Sequence, residues 1–505
     1  MLPQRRAVLT ATIVASSMTF IDATVVNVAL PALQTDLHAT ITEVQWVVEA
    51  YALFLGALLL VGGSMGDQFG RKRVFLAGVA VFTSASVVCG LATSATALIN
   101  GRALQGMGAA LLVPGSLAII SASFDEADRG RAIGTWSGFS AITAAIGPVT
   151  GGWLIEHVSW RAVFFLNVPL AALVLALSFR FIDESRDPSR TAGLDWRGAA
   201  FAVAGLGGIV FGLLEWPPRG GSDPLVLAAL AIGALSMILF LRIEARASNP
   251  LLPPRLFASR TFTLANVLTL LLYAAVAISL FLVPMNLIQV QGYTATEAGA
   301  ALLPFPLIMF ALSRWSGGLI GRVGSRLPLT IGPATAALGM AMYARPGIGG
   351  SYWTTFFPAV VVVGIGMAVT VAPLTTTVME AVESQHAGVA SGINNAVSRI
   401  AGLLAIAVFG VVLVRTFDAR VRTPLDHLHL TPAVRSAIEH ELPNMAGADV
   451  DAARSIDDAT AAAVRDAIAR AFVRAFRVVL IAASVVAVMA AFVGARLRAR
   501  EDAHP

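Results

Sequence analysis

Apolar residues along this chain come in runs of about twenty, repeated from end to end with short polar stretches between them. A helix rises about 1.5 Å per residue, so each run is long enough to cross a hydrocarbon layer about 30 Å thick. The runs are near-continuous rather than alternating, which predicts helices and not the strands of a membrane barrel. Fourteen spans are read, at 8–30, 44–63, 74–92, 97–120, 132–155, 162–181, 198–214, 225–243, 262–282, 298–319, 327–343, 356–375, 388–413 and 472–493. The predicted fold class is an all-α polytopic membrane protein.

The polar stretches set the orientation. An even number of spans puts both termini on one side. The short loops of that side, with the tail, carry eighteen basic residues, among them Arg5, Arg6, Arg71, Lys72, Arg73, Arg129, Arg131 and Arg190. Only Arg161, Arg219 and Arg345 lie in the short loops opposite. Positive charge is retained on the cytoplasmic side, so both termini are expected in the cytoplasm and the protein in the cell (inner) membrane. One long outer segment, 414–471, adds seven arginines without reversing the bias. Its 457–471 stretch has a partly helical pattern, and its His427 and His429 lack the carboxylate or cysteine spacing of a metal site.

Composition narrows the class further. Of 505 residues, 57% are hydrophobic and 13% charged, the balance of a membrane protein. The net charge of +5 is scattered through short loops rather than along one face, which argues against nucleic acid as a partner. The lone cysteine, Cys89, lies in an apolar run and leaves no disulfide framework or cysteine metal site. The first apolar run exceeds a signal-peptide core and lacks a small-residue cleavage site, so it reads as an uncleaved span. No P-loop lysine signature, nucleophile elbow, HExxH, or HxE with CxxC is present. The expectation is a transporter rather than an enzyme, without cofactor and driven by an ion gradient.

The loop between spans 2 and 3 reads GSMGDQFGRKR (63–73), and the one between spans 10 and 11 reads GGLIGRVGSR (317–326). Gly63 matches Gly317 and Gly70 matches Gly324. Equivalent loops eight spans apart predict two six-helix halves with two helices inserted between them, the usual build of a secondary transporter. The expected division is 1–182, then 183–261 with the inserted helices, then 262–497 carrying the 414–471 segment, and a cytoplasmic tail at 498–505. Here a family resemblance enters. The 63–73 loop resembles motif A of the major facilitator superfamily, ALINGRALQGMGAAL (97–111) resembles its motif B, and GPVTGGW (147–153) resembles motif C of its antiporters. With IDATVVNVALP (21–31), these resemble the 14-span drug:proton antiporters of the QacA/EmrB-like branch, across essentially the whole chain outside 414–471. Three positions depart from the pattern: Gln68 replaces a basic residue of motif A, Gly321 replaces the acid of its second copy, and Arg314 is an unusual charge in span 10. The resemblance implies a major facilitator fold with an amphipathic small-molecule substrate, protons and membrane lipids as partners. A periplasmic adaptor would join them only in a Gram-negative source.

Particular residues carry the expected chemistry. Asp67, at the end of span 2, is placed to pair with a basic residue or a helix N-terminus in only one conformation, and Gly63 and Gly70 allow the tight loop. Arg71, with Lys72 and Arg73, reads equally as a topology anchor. Gly147 and Gly151 lie four apart on span 5 with Pro148 between them, and Gly134 and Gly138 extend the small-residue stripe. That stripe is either a packing seam or, by the resemblance, a bend that seals a path in exporters; span 13 near Leu404 and Ala405 lacks it. Intramembrane charges are costly unless paired or wet. Asp22 lies about 21 Å into span 1, Glu49 about 8 Å into span 2 from the outer side and Arg102 about 6 Å into span 4. All three are expected in one cluster in the outer third, with Gln105 facing the same way. Burial and Arg102 act in opposite directions on the proton affinity of Asp22, so it can titrate; a static Asp22–Arg102 pair is the alternative. Glu49 is either a second proton site or simply hydrated. In GINNAVSRIAG (392–402), Asn394, Asn395 and Arg399 are expected to line the inner half of the pathway. Glu156 and Glu215 read as interfacial, and Arg314 as snorkelling. The expected function is proton-coupled export of amphipathic, often cationic compounds. A dedicated exporter of one lipid, siderophore or amino-acid derivative, and a non-transporting membrane sensor, remain alternatives.

Overall fold

The computed structural model describes residues 3–186, 195–247, 250, 252–383, 387–428, 430–450 and 456–497. Arg190, His429 and the 498–505 tail lie outside the described residues, as do the side chains of Arg129, Arg131 and Arg314 and the surroundings of Gly134, Gly138 and Gly321. An N-terminal group contains α1 (Pro3–Asp36), α2 (Ile41–Phe69), α3 (Arg71–Gly90), α4 (Ala95–Ser123), α5 (Glu126–His157), α6 (Trp160–Phe165) and α7 (Asn167–Phe181). A hairpin of α8 (Trp196–Arg219) and α9 (Pro224–Arg246) follows. The C-terminal group contains α10 (Arg260–Gln289), α11 (Ala295–Leu302), α12 (Pro304–Gly317), α13 (Leu319–Val323), α14 (Arg326–Tyr343), α15 (Phe356–Glu380), α16 (Ala387–Asp426), α17 (Pro432–Glu441) and α18 (Asp458–Ala495). Among the described residues, every regular element is helical. Among the described residues, twelve helical segments are long and apolar enough to cross a membrane; α5 and α14 are not among the twelve. Apolar side chains such as Phe179, Leu235, Leu241 and Phe492 stay exposed around the outside of the bundle.

Local signals explain where the helices start and stop. Thr40 and Glu43 form a reciprocal capping box at the start of α2, and Thr294 and Glu297 form the same box at the start of α11. The two loops matched in sequence end alike, at Gly70 (φ 114°) and Gly324 (φ 71°), both in left-handed territory. Pairings repeat as well. In the N-terminal group α2 and α3 pack on α4, α1 packs on α5, and α7 packs on α1 and α3; in the C-terminal group α12 and α14 pack on α15, α10 on α16, and α18 on α10 and α14.

One end of the bundle carries a cap, built from the last turns of α16, from α17, and from a 3₁₀ turn at Leu442–Gly447. The span read at 388–413 continues as helix to Asp426. It does so because Phe417, Val421 and Leu425 recur at helical spacing and stay buried. At this end the two groups touch. Gln289 donates to Gln34 at 2.8 Å, Gln34 donates to the Asn444 carbonyl at 3.0 Å, and the Thr296 hydroxyl donates to Glu156 at 2.5 Å. Helices α5 and α11 approach closely: a Cβ on Gly152 would lie 2.4 Å from the Ala295 carbonyl, and one on Gly299 would lie 2.2 Å from that of Pro148. At the opposite end, the contacts Gln4–Asp183, Arg5–Asp125 and Asp67–Arg71 stay inside the N-terminal group.

Candidate functional site

Helices α1 and α4 bring Asp22 and Arg102 together in the middle of the N-terminal group. Arg102 is 1% exposed and Asp22 1% exposed, so neither charge meets water and each must be compensated locally. Arg102 Nη1 donates to Asp22 Oδ2 at 2.5 Å and to Gln105 Oε1 at 2.8 Å. Gln105 Nε2 donates to Asp22 Oδ1 at 2.7 Å and to Ser86 Oγ at 3.0 Å, and Asn167 Nδ2 also donates to Ser86 at 2.8 Å. The remaining reach of Arg102 is used against α2. Its Nε donates to the Val47 carbonyl at 3.0 Å, and its guanidinium sits 4.3 Å from the centre of the Tyr51 ring. Four helices, α1, α3, α4 and α7, thus supply side chains to one dry, closed network, and α2 supplies a carbonyl and an aromatic face.

Glu49 does not join it. The expected single cluster is split by α2 itself. Val47 and Tyr51 point at α4, while Gln45 lies beside Gly410 of α16 and Gly56 beside Arg399 of α16. At 3.6 residues per turn, Glu49 falls in the stripe of Gln45 and Gly56, on the far side of the helix from Val47. It therefore faces the seam between α2 and α16, where the N- and C-terminal groups meet. Glu49 is fully buried, and neither of its carboxylate oxygens has a hydrogen-bond partner among the described residues. The alternative of a Glu49 simply hydrated near an interface does not fit this burial. Helix α8 packs on both α2 and α16 and closes the seam from outside, with Leu53, Leu206, Val210, Leu403 and Ala407 forming one apolar cluster.

The other sequence candidates separate by role. Asp67 accepts from Arg71 Nη2 at 2.9 Å and Nε at 3.1 Å, one helical turn apart. Gly70 turns the chain between them, and Glu184 receives the backbone N–H groups of Lys72 and Arg73, which ties the loop to the end of α7. A Cβ at Gly63 would meet Pro114 of α4 at 3.6 Å. Gly147 and Gly151 pack on α1, where added Cβ atoms would lie 2.4 Å from Thr24 Oγ1 and 2.4 Å from Val25 Cγ1; Pro148 lies within α5 between them. Asn394 donates to Thr269 at 2.7 Å and Asn266 at 3.1 Å, binding α16 to α10, whereas Asn395 is exposed. Arg399 is partly buried, and its Nε has no partner among the described residues.

Sequence reasoning missed Ser86, Asn167 and Tyr51 in the network, and Gly152 and Gly299 at the contact between groups. Ser86 and Asn167 carry no charge and so gave no signal in an apolar run. The doubled glycine of GPVTGGW did carry one: its second member, Gly152, turns to α11 while the first, Gly151, turns to α1.

Comparisons with known proteins complete the picture. Residues 12–406 match the Major Facilitator Superfamily. The chain is 34% identical over 427 residues to the "Multidrug resistance protein Stp" of Mycobacterium tuberculosis, covering 83% of this chain and 78% of that protein. It is 34% identical over 401 residues to the "Tetracenomycin C resistance and export protein" of Streptomyces glaucescens, covering 78% and 73%. In fold it resembles a crystallised bacterial homolog of the human lysosomal transporter Spinster in an inward-facing, unoccupied conformation, with a TM-score of 0.66 at 16% identity over 98% of each chain. The many apolar helices and this match together make the chain a multi-pass membrane transporter and a member of the Major Facilitator Superfamily.

Proposed function

We propose that this transporter is a proton-coupled exporter of amphipathic, often cationic small molecules in the cell membrane, with fourteen spans, two six-helix halves around the α8–α9 hairpin, and both termini cytoplasmic. Under that orientation the cap lies outside, and the conformation described is closed outside and faces inward. The observation that carries the reading is the contrast between two buried carboxylates in one conformation. Both oxygens of Asp22 accept from Arg102 and Gln105; Glu49 is dry and has no hydrogen-bond partner among the described residues. An ionised carboxylate without a partner in such a seam costs several kcal/mol, so Glu49 holds a proton while the seam is closed. Opening the seam wets Glu49 and lets the proton leave, while movement of α1 against α4 frees Asp22 to take one up. Two titratable groups in opposed environments are what an exchange cycle needs. The substrate passes between the two groups, along Asn395 and Arg399. Support for export of such compounds comes from the relatives named for drug resistance.

A second reading, a dedicated exporter of one natural product, is favoured by the relatives named for tetracenomycin C and for cephamycin export. The test is substrate-induced proton release from detergent-solubilised protein over a compound panel, paired with uptake into proteoliposomes under an imposed pH gradient. Release that vanishes in Glu49→Gln, with accumulation lost in Asp22→Asn, supports the proposal. Undiminished release in Glu49→Gln overturns it, and a response to one compound alone selects the second reading.

A further inference from the structure

At the cap end a cavity of about 700 Å³ opens among four stretches whose residues take no part in the chemistry above. Its walls are the start of α2, the end of α8, the extension of α16 past residue 413, and the cap. Ile41, Leu425, Ile438 and Met445 give it an apolar lining. Five carboxylates and two guanidiniums also face it, an excess of three negative charges. Four of those carboxylates are engaged. Glu43 caps α2, Glu215 accepts from Trp46 and Arg219, and Asp426 and Glu439 share Arg435. The fifth, Asp418, makes no hydrogen bond or ion pair with any described residue. It stands half-buried on α16, in line with Val414 and Leu425 on the wall of the cavity.

We propose that this cavity is a second binding site, separate from the buried network, for an amphipathic organic cation whose apolar body lies against α16 and the cap and whose charge rests on Asp418. The volume falls in the range that encloses a drug-sized ligand. Apolar walls reward burial of a hydrophobic body, and the net negative lining selects its charge. Since α2, α8, α16 and the cap come from different parts of the fold, the shape of the site depends on how the two groups sit. Occupancy is thereby linked to their rocking. The site rests on the exporter reading only for the placing of the cavity on the exit path.

The experiment measures binding without any gradient: equilibrium dialysis of tetraphenylphosphonium against the full chain in detergent. Asp418→Asn is expected to weaken one class of sites about fivefold, the worth of one part-shielded charge contact. Asp418→Lys weakens it further, Asp418→Glu keeps it, and neutral triphenylphosphine oxide does not compete. Asp418 has no hydrogen bond or ion pair to lose, only the fields of Arg415 and Arg422 on its own helix, so the melting temperatures of Asp418→Asn and the parent stay within a few degrees, which separates lost binding from lost fold. Unchanged binding in both Asp418→Asn and Asp418→Lys overturns the proposal, as does displacement by zwitterionic phospholipid that is indifferent to both substitutions. Asp418-dependent binding without proton release upholds this site while the exporter reading falls; the converse result does the reverse.

Discussion

Among the described residues Arg102 is the largest of the fully buried side chains, and its partners explain how a guanidinium tolerates that place. A pair of this kind is costly to break from one side and cheaper to remove whole. Arg102→Ala leaves the buried Asp22 carboxyl without its counter-charge, with a loss of about 3–5 kcal/mol expected. Adding Asp22→Asn to Arg102→Ala should recover a large part of that loss. Thermal unfolding of the two single variants and the double variant checks it, and an additive cycle would show that the pair is not coupled. Gly70 is a second residue-scale constraint. Its φ of 114° is reached easily only without a Cβ, and a Cβ there would lie 2.7 Å from the Glu184 carboxylate. Gly70→Ala is expected to cost about 1–3 kcal/mol of stability. Glu184→Ala in the same chain should relieve only the clash, so full rescue would mean that backbone strain contributes nothing.

Among the elements, α2 does the dividing. It turns one face to α4 and the ion pair, another to α16 with Glu49 between them, and a third to α8 through Trp46, whose indole donates to Glu215 at 3.3 Å. Closure at the cap end belongs to α5 and α11, which meet backbone to backbone at Gly152 and Gly299. Gly299→Val places bulk where the Pro148 carbonyl already is, and that end should open. In a Cys89→Ala background, free of the lone native thiol, a cysteine introduced by Gln34→Cys should then react with maleimide several-fold faster. An unchanged rate would show that the close approach does not hold this end shut.

On the scale of the whole molecule, the seam has a definite register. Gln45 lies beside Gly410 and Gly56 beside Arg399, the pattern of two antiparallel helices in contact across the N- and C-terminal groups. A Cβ at Gly56 would stand 3.8 Å from that of Arg399, the separation a disulfide needs. Gly56→Cys with Arg399→Cys, again without Cys89, should therefore cross-link on mild oxidation and join the two groups after proteolysis between them. The Arg399→Cys single variant is the control, and failure to cross-link would put the seam out of register.

The amino-acid order by itself determined the helical class, the place of the apolar runs but not the ends of the last two, which run on to Asp426 and begin at Asp458, the matched loops at Gly70 and Gly324, and the Asp22–Arg102–Gln105 association. Each of these is local or periodic: a run of apolar residues, a glycine followed by basic residues, or a charge whose burial demands a partner. It set Glu49 in one cluster with Asp22 and Arg102, which the structure splits, because position along a span follows from counting residues whereas the face a residue turns to depends on which helices flank it. Only the packed structure decided that α16 lies against that stripe, that α8 covers it, and that Gly152 rather than Gly151 meets the C-terminal group. Such contacts join residues hundreds of positions apart, and helix packing in lipid is set by shape and small residues that differ little from their neighbours in sequence.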